Sequence, residues 1–212
     1  VQTCALPISE TGIKFVNERG QAMAKAAALE VTSMAAVLGG DQAEVEAKLA
    51  SLELEPANYN GSGQIVAAGT AAAIAELQAN PVAGTRVIPL QVAGAFHTRF
   101  MKPAVETLRD YSKTIQIADP AIALWSNNGG RKISSGSEFV ELLVNQVSSP
   151  VRWDLCMETM AKCGVTGVIE VPPAGTLAGL VKRAQSEIQT FALKGPEDLD
   201  AAKAFIAQHG GN

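Results

Sequence analysis

Only two histidines, His97 and His209, occur in the 212-residue sequence, and the ordinary pKa of this side chain lies close enough to neutral pH for proton transfer. His97 follows a predicted strand and a Gly94-Ala95-Phe96 loop, and a predicted helix comes after it. Because α/β folds present reactive groups at strand ends, His97 is the candidate for a general base. Taken alone, a loop histidine is more often structural. His209 stands beside the glycine-rich end of the sequence, where a dedicated role is not expected.

The composition excludes several kinds of partner. The net charge is only -4 and no run of lysine or arginine occurs, so neither nucleic acid nor an anionic membrane is expected to bind. No apolar stretch reaches the roughly 20 residues that a membrane span needs. The three cysteines, Cys4, Cys156 and Cys163, lack the spacing of a disulfide framework or a zinc site. We therefore expect no bound metal and a reducing, cytoplasmic compartment.

The segment 1–8 fits no helix or strand pattern, lacks an initiator methionine, and has neither the basic start nor the apolar core of a signal peptide. It resembles the translation of a sequencing adapter, so we expect a non-native scar at the broken end of a longer gene. A real but frayed loop is the alternative. In either case this segment, which includes Cys4, is left out of the predicted fold.

Hydrophobic periodicity divides the rest of the sequence into helices and strands. An alanine-rich helix is predicted over 10–30. The next segment, 32–92, has the order βαββαβ, with Asp41 as a helix N-cap and a hairpin around Gly61-Ser62-Gly63. This order predicts a ferredoxin-like subdomain. Its predicted elements are strand 32–38, helix 41–52, hairpin 57–68, helix 70–78 and strand 85–92.

After His97 the sequence again alternates between helices and strands, which predicts a largely parallel sheet flanked by helices. The predicted helices are 101–113, 137–147, 153–163, 177–184 and 196–208, and the predicted strands are 121–126, 165–171 and 190–193. We therefore expect an α/β fold in two domains. Residues 9–31 and 93–212 would form the large domain, into which the subdomain 32–92 is inserted.

Four stretches of the sequence, in the same order and at about the same distances, resemble motifs of the malonyl-CoA:acyl carrier protein transacylases, the malonyl-loading enzymes of fatty acid synthesis. They are an arginine helix at 18–23, an asparagine loop at 58–64, a histidine motif at 94–98 followed by Met101 and Pro103, and a glutamine motif at 145–153. Each stretch is weak alone, but the ordered set covers nearly all of residues 9–208. The resemblance implies a large domain that is α/β-hydrolase-like and incomplete.

The resemblance also implies a ping-pong reaction. A serine attacks the malonyl thioester, and the phosphopantetheine thiol of acyl carrier protein then accepts the malonyl group. His97 would be the base for both steps, and backbone oxygen at Gln146 would fix its tautomer in place of the carboxylate of a Ser-His-Asp triad. Malonyl-CoA and acyl carrier protein are the implied partners, and no metal or redox cofactor is implied.

Four further residues are assigned to the acyl group by the resemblance. Arg19 would bind the malonyl carboxylate through two parallel hydrogen bonds, although an unplaced arginine is usually a solvated surface residue. Phe96 would crowd the carbon between the two carbonyls, which favours malonyl over methylmalonyl. Asn58 and Asn60 would line the pocket, and asparagine beside glycine is also ordinary turn chemistry.

The largest departure from the family is an absence. The family's Gly-His-Ser-x-Gly elbow carries the nucleophilic serine, and the 212 residues contain no Gly-x-Ser-x-Gly sequence. We therefore expect the parent enzyme to be a malonyltransferase and this chain alone to be inactive. A smaller departure is the segment 171–177, where many relatives have a Gly-Pro-Gly turn. Two alternatives stay open: a non-catalytic module that binds acyl carrier protein, and an acyltransferase domain of a polyketide synthase.

Overall fold

The computed structural model describes residues 9–210, so the segment 1–8, for which the sequence predicts a scar, lies outside the described residues. The first element is helix α1 (Ser9–Ala27). Phe15, Ala22, Met23 and Ala26 recur at helical spacing along α1 and are all buried, so they form one apolar face. The helix predicted over 10–30 therefore exists and ends earlier than expected.

The following segment has the element order βαββαβ. Its elements are β1 (Thr32–Gly39), α2 (Gln42–Ser51), β2 (Glu55–Gly61), β3 (Gln64–Thr70), α3 (Ala71–Ala79) and β4 (Thr85–Pro89). Asp41 Oδ1 accepts hydrogen bonds from the N–H groups of Ala43 and Glu44, which makes Asp41 the N-cap of α2, as the sequence predicts. Thr70 caps α3 in the same way by accepting from the N–H of Ala73.

These four strands pair antiparallel in the spatial order β4-β1-β3-β2. Successive residues of a strand point to opposite faces, and both faces of this sheet are covered. The face that packs against α2 and α3 contributes Ala35, Val37, Ile65 and Ala67 to the core. The opposite face contributes Met34, Ala57, Val66 and Ala68, and it packs against Ala95, Phe96 and Phe100. This second face therefore supports the loop that carries His97.

The chain after His97 contains short 3₁₀ turns at Arg99–Met101 and Pro196–Asp198 and several further elements. They are α4 (Lys102–Ser112), β5 (Leu124–Ser126), β6 (Arg131–Ile133), α5 (Gly136–Gln146), β7 (Val151–Arg152), α6 (Trp153–Lys162), β8 (Gly167–Glu170), α7 (Thr176–Ala184), β9 (Gln189–Ala192) and α8 (Leu199–His209). Helices α1, α4 and α5 share one core, in which Met101, Leu108, Val144 and Val147 meet the apolar face of α1. The predicted helices are thus present, with small shifts at their ends.

The described strands of residues 93–212 do not form one sheet, so the largely parallel sheet stays a prediction. β5 and β6 form an antiparallel hairpin, β8 and β9 form a separate parallel pair, and β7 pairs parallel with β2. Alternation of helices and strands predicts the elements, but it does not specify which strands pair with which. Because β7 joins β2, one five-stranded sheet includes strands from both predicted domains. The division into 9–31 with 93–212 and 32–92 stays a prediction.

The hairpin between β5 and β6 carries a turn signal that the predicted single strand over 121–126 omits. The connecting sequence is Asn127-Asn128-Gly129-Gly130, and both glycines have positive φ angles, 79° and 63°. Such asparagine-glycine sequences are typical of tight hairpins. A Cβ on Gly130 would collide with the backbone of Leu155 and Cys156. Glycine at this position therefore lets α6 pack directly on the turn.

Membrane-spanning helices and metal-binding groups are absent from the described residues, and two free cysteines are present. No helix within 9–210 combines the length and apolar character that crossing a membrane requires. The same residues contain no group of three or more His, Cys, Asp or Glu side chains arranged to hold a metal ion. Cys156 is a buried free thiol and Cys163 an exposed one.

Glu170, at the end of β8, caps helix α7. Its carboxylate accepts hydrogen bonds from the N–H groups of Gly175 at 2.7 Å, Leu177 at 3.0 Å and Ala178 at 2.9 Å. Burial alone raises the pKa of Glu170, but these three backbone donors outweigh it and bring the pKa below the ordinary 4.5. The ionised carboxylate thus stabilises the start of α7.

Substitution Glu170→Gln is expected to lower the free energy of unfolding by about 1–3 kcal/mol at neutral pH, because a neutral amide oxygen replaces a charged acceptor. The pKa is depressed in the folded state, so this stabilisation is present above the unfolded pKa and is lost as the pH falls through the folded pKa. Urea denaturation of the chain at neutral and acid pH measures the difference. The matched control is Glu187→Gln on an exposed side chain. The prediction is contradicted if Glu170→Gln lowers the free energy of unfolding equally at both pH values.

Candidate active site

The backbone of His97 adopts an unusual conformation, with φ at 62°. This left-handed region costs a non-glycine residue about 1–3 kcal/mol, which the surrounding structure must offset. The loop before it is held by two hydrogen bonds: the N–H of Ala95 donates to Thr32 Oγ1 at 2.9 Å, and the buried Thr98 Oγ1 donates to the carbonyl of Ala95 at 2.6 Å. The His97 side chain is therefore directed by a loop that is fixed on both sides.

The C-terminal end of α5 binds His97 through backbone oxygens. The N–H of His97 donates to the carbonyl of Val147, and Nδ1 lies 2.9 Å from the carbonyl oxygen of Gln146. A carbonyl only accepts, so Nδ1 carries the proton, and in the neutral ring Nε2 keeps its lone pair. Nε2 is therefore the ring nitrogen that can act as a base. The carbonyl end of a helix also favours the imidazolium that forms when Nε2 accepts a proton.

Several groups act on the pKa of His97. Burial is the strongest and lowers it, the carbonyls of Gln146 and Ser149 raise it, and the positive charge of Arg19 lowers it. The net effect places the pKa of His97 below its ordinary value of 6.5. The ring is therefore mostly neutral at neutral pH, in the state that a general base needs.

NMR titration of the histidine side chain tests this assignment. We expect a pKa below 6.5 for His97 and nitrogen chemical shifts of the tautomer protonated at Nδ1. Arg19→Ala should raise this pKa, because it removes a nearby positive charge, whereas Arg86→Ala on the exposed side of β4 should not. A ring protonated at Nε2, or a pKa at or above the ordinary value, contradicts the assignment.

Arg19 lies on the otherwise apolar face of α1, one helical turn from both Phe15 and Met23. It is half-buried there, and its Nη2 donates to the side-chain oxygen Oε1 of Gln146 at 2.9 Å. Desolvation lowers the pKa of Arg19, and no carboxylate within the described residues pairs with it. The site therefore contains a partly desolvated guanidinium without a protein counter-charge, which favours binding of an anion. The structure thus brings Arg19, Gln146 and His97 together.

Asn58 and Asn60 lie on β2 and line a different concavity. This cavity has a volume of about 290 Å³, and its other lining residues are Trp125, Asn127, Val151, Trp153, Cys156, Met160 and Leu177. The indole N–H of Trp153 is buried and has no hydrogen-bond partner among residues 9–210. His97 and Arg19 are not among the lining residues of this cavity. The asparagines therefore lie in a neighbouring space, and their role in the pocket stays a prediction.

Phe96 packs into the structure on two sides. It is partly buried, and it contacts both the core shared by α1, α4 and α5 and the core on the second face of the sheet. This packing fixes the residue that precedes His97. It also gives Phe96 a structural role, and its predicted effect on substrate choice stays a prediction.

Comparison with known proteins gives a consistent result. A family model described as an acyl transferase domain matches residues 2–207. The chain belongs to the acyl transferase family. Malonyl CoA-acyl carrier protein transacylase of Mycobacterium tuberculosis is 46% identical over 192 residues, which cover 91% of this chain and 64% of that protein. The chain thus spans less than two thirds of the length of this curated relative.

Two solved structures extend the comparison of this acyl transferase chain. The crystal structure of the transacylase from M. tuberculosis has a TM-score of 0.89 and 45% identity, covering 93% of this chain and 66% of the other. A malonyl-transacylase in complex with the acyl-carrier protein of a type II polyketide synthase has a TM-score of 0.87 and 26% identity, covering 94% of this chain and 66% of the other. The α/β arrangement of the described residues is therefore that of solved transacylases.

Sequence reasoning about this acyl transferase missed several residues of the site. It assigned no role to Thr32 or Thr98, whose hydroxyl groups hold the His97 loop, and it did not select Trp125 and Asn127 of the neighbouring cavity. Threonine at the start of a strand and after a histidine is too common to be a signal. Asn127 was detectable, because it begins the asparagine-glycine turn.

His209 has a structural role that its position near the chain end does not indicate. Its Nδ1 contacts Thr166 Oγ1 at 3.1 Å and its Nε2 contacts Gln189 Oε1 at 3.2 Å. The ring also packs on Phe205, with centroids 4.4 Å apart. His209 therefore joins α8 to the β8-β9 pair.

Proposed function

We propose that the whole protein transfers a malonyl group from malonyl-CoA to the phosphopantetheine thiol of acyl carrier protein, in fatty acid synthesis. One observation carries the proposal: His97 donates from Nδ1 to the Gln146 carbonyl, and the Arg19 guanidinium, which pairs with no carboxylate of the described residues, contacts the side chain of the same Gln146. The names of the relatives, malonyl CoA-acyl carrier protein transacylases, support the choice of acyl group and acceptor.

In the proposed reaction, a serine hydroxyl attacks the thioester carbonyl while Nε2 of His97 accepts the hydroxyl proton. The carbon–sulfur bond breaks, CoA leaves as a thiol with that proton, and the malonyl group becomes a serine ester. The carrier-protein thiol then gives its proton to Nε2 and attacks the ester, and the proton returns to serine as the ester bond breaks. The serine belongs to a part of the protein outside these 212 residues, so this chain alone is inactive.

Four other residues would contact the acyl group. Arg19 would bind the malonyl carboxylate with two charge-assisted hydrogen bonds, which acetyl cannot form. Phe96 would disfavour a methyl branch next to the thioester. Asn58 and Asn60 would line the space beside the acyl group, in the cavity with Trp125 and Trp153. None of these steps needs a metal or redox cofactor.

We also propose the finer description of the fold. The antiparallel order β4-β1-β3-β2 with both helices on one face supports a ferredoxin-like subdomain. The other elements would belong to an α/β-hydrolase-like large domain that residues outside this chain complete. The exposed side chains of Ile13 and Val16 on α1, 70% and 64% accessible, support such a missing neighbour. Free thiols at Cys156 and Cys163 support a cytoplasmic location.

A chimera tests the proposed function. It joins residues 9–212 to the N-terminal part of the M. tuberculosis transacylase that this chain does not match. We expect the chimera to transfer radioactive malonyl from malonyl-CoA to acyl carrier protein, and we expect no transfer by the 212-residue chain. A folded chimera that transfers nothing, beside an active M. tuberculosis enzyme, contradicts the proposal. Tight carrier-protein binding by the 212-residue chain, with an inactive chimera, favours the non-catalytic module instead.

A further inference from the structure

Gln146 offers two different oxygen atoms to the site. Its backbone oxygen accepts from Nδ1 of His97 at 2.9 Å and from the N–H of Ser149 at 3.2 Å. Its side-chain oxygen Oε1 accepts from Nη2 of Arg19 at 2.9 Å. The proposed reaction uses only the backbone oxygen. The side chain therefore contacts the site without a role in the steps described so far.

We propose that the Gln146 side chain is a positioning group that determines acyl specificity, because it holds the Arg19 guanidinium in the orientation that receives the carboxylate of a dicarboxylic acyl group. This inference rests on the proposed function, since it concerns the same acyl pocket. Gln146 would then have two separate roles. The backbone oxygen orients the base, and the amide orients the group that recognises the substrate.

A neutral amide suits this position for an electrostatic reason. A guanidinium has N–H donors in a rigid fork, and Gln146 accepts from one of its terminal nitrogens. The other donors stay free for a bidentate contact with a carboxylate. A glutamate here would form an ion pair with Arg19 and would compete with the substrate. Gln146 thus orients the guanidinium and leaves its positive charge available.

The backbone that carries this amide is well fixed. Gln146 is the last residue of α5, and its carbonyl accepts from both His97 and Ser149. The next residue, Val147, is fully buried, and its carbonyl accepts from the N–H of His97. A substitution at Gln146 therefore removes the side-chain contact and leaves the backbone contact with His97 in place. This allows the two roles to be separated by experiment.

Substitution Gln146→Ala in the chimera is expected to raise KM for malonyl-CoA about three- to tenfold, the loss expected for one hydrogen bond of typical net strength. The kcat should change by less than about twofold, because the base is untouched. The preference for malonyl over acetyl should fall by the same factor as KM rises. Asn145→Ala is the matched control, since it removes a similar contact between Arg109 Nη2 and an amide oxygen, 3.1 Å apart and exposed.

Substitution Gln146→Glu gives a second readout. The new carboxylate should pair with Arg19 and raise KM for malonyl-CoA more than Gln146→Ala does. It should also shift the acid limb of the pH–rate profile to higher pH, because a negative charge near His97 favours the protonated ring. A side chain with a merely structural role would leave the preference for malonyl over acetyl unchanged in Gln146→Ala.

Malonate and acetate binding to the 212-residue chain, measured by calorimetry, completes the test. Weaker malonate binding by Gln146→Ala, with acetate binding unchanged, supports the inference. An active chimera whose KM and malonate affinity do not respond to Gln146→Ala overturns it and leaves the proposed function standing. If the unsubstituted chimera is inactive, the proposed function fails, and malonate binding decides the inference. The inference is then overturned if the 212-residue chain binds malonate equally with and without Gln146→Ala. It is also overturned if the unsubstituted chain binds no malonate.

Discussion

Substitution His97→Ala in the chimera is expected to lower the rate of malonyl transfer about 10²- to 10⁴-fold, the usual contribution of a general base. The physical reason is the fixed tautomer: with Nδ1–H donated to Gln146, Nε2 is the atom that can accept a proton. The rate of malonyl-enzyme formation in a single turnover measures the step directly. His97→Asn should fail equally, because asparagine tolerates a positive φ but cannot act as a base.

The control for this experiment is His209→Ala. That ring bonds Thr166 and Gln189 in the β8-β9 region and has no contact with His97 or Arg19. We expect some loss of thermal stability and no loss of malonyl-enzyme formation in the folded protein. Substantial single-turnover activity in both His97 variants, with the fold intact by circular dichroism, would show that another group is the base.

Substitution Arg19→Ala is expected to lower kcat/KM for malonyl-CoA about 10²- to 10⁴-fold, because it removes two charge-assisted hydrogen bonds worth about 1.5–3 kcal/mol each. Transfer of acetyl, which has no carboxylate, should fall far less. Arg19→Lys should recover part of the loss, since an ammonium keeps the charge but not the bidentate geometry. Competition between the two acyl-CoA substrates measures the change in preference.

The control is Arg86→Ala, which removes an exposed arginine on β4. Its kinetic constants should match those of the unsubstituted chimera. Equal losses for malonyl and acetyl in Arg19→Ala would contradict the assignment. Such a result would place Arg19 in the packing between α1 and α5, and malonyl selection would then depend on another group.

Much of the fold was predictable from local patterns. The helical spacing of Phe15, Ala22 and Met23, the cap at Asp41 and the glycine turn at 61–63 each act within a few residues, and the structure contains all of these features. Pairing of the later strands was not predictable, because partner choice depends on contacts far apart in the chain. The hairpin at Asn127-Gly130 is the exception, since its turn residues carry a local signal.

By itself, the sequence determined most of the elements, the order of the family motifs and the absence of a Gly-x-Ser-x-Gly nucleophile within these 212 residues. Only the tertiary structure decided which residues of the site contact one another. His97 meets Gln146 across 49 residues of chain, and Arg19 meets it across 127. The left-handed φ of His97, its tautomer and the separate position of Asn58 and Asn60 also depend on packing between distant elements. Local periodicity cannot encode such contacts, because the orientation of a hydrogen bond is fixed only when both partners are held by their own elements.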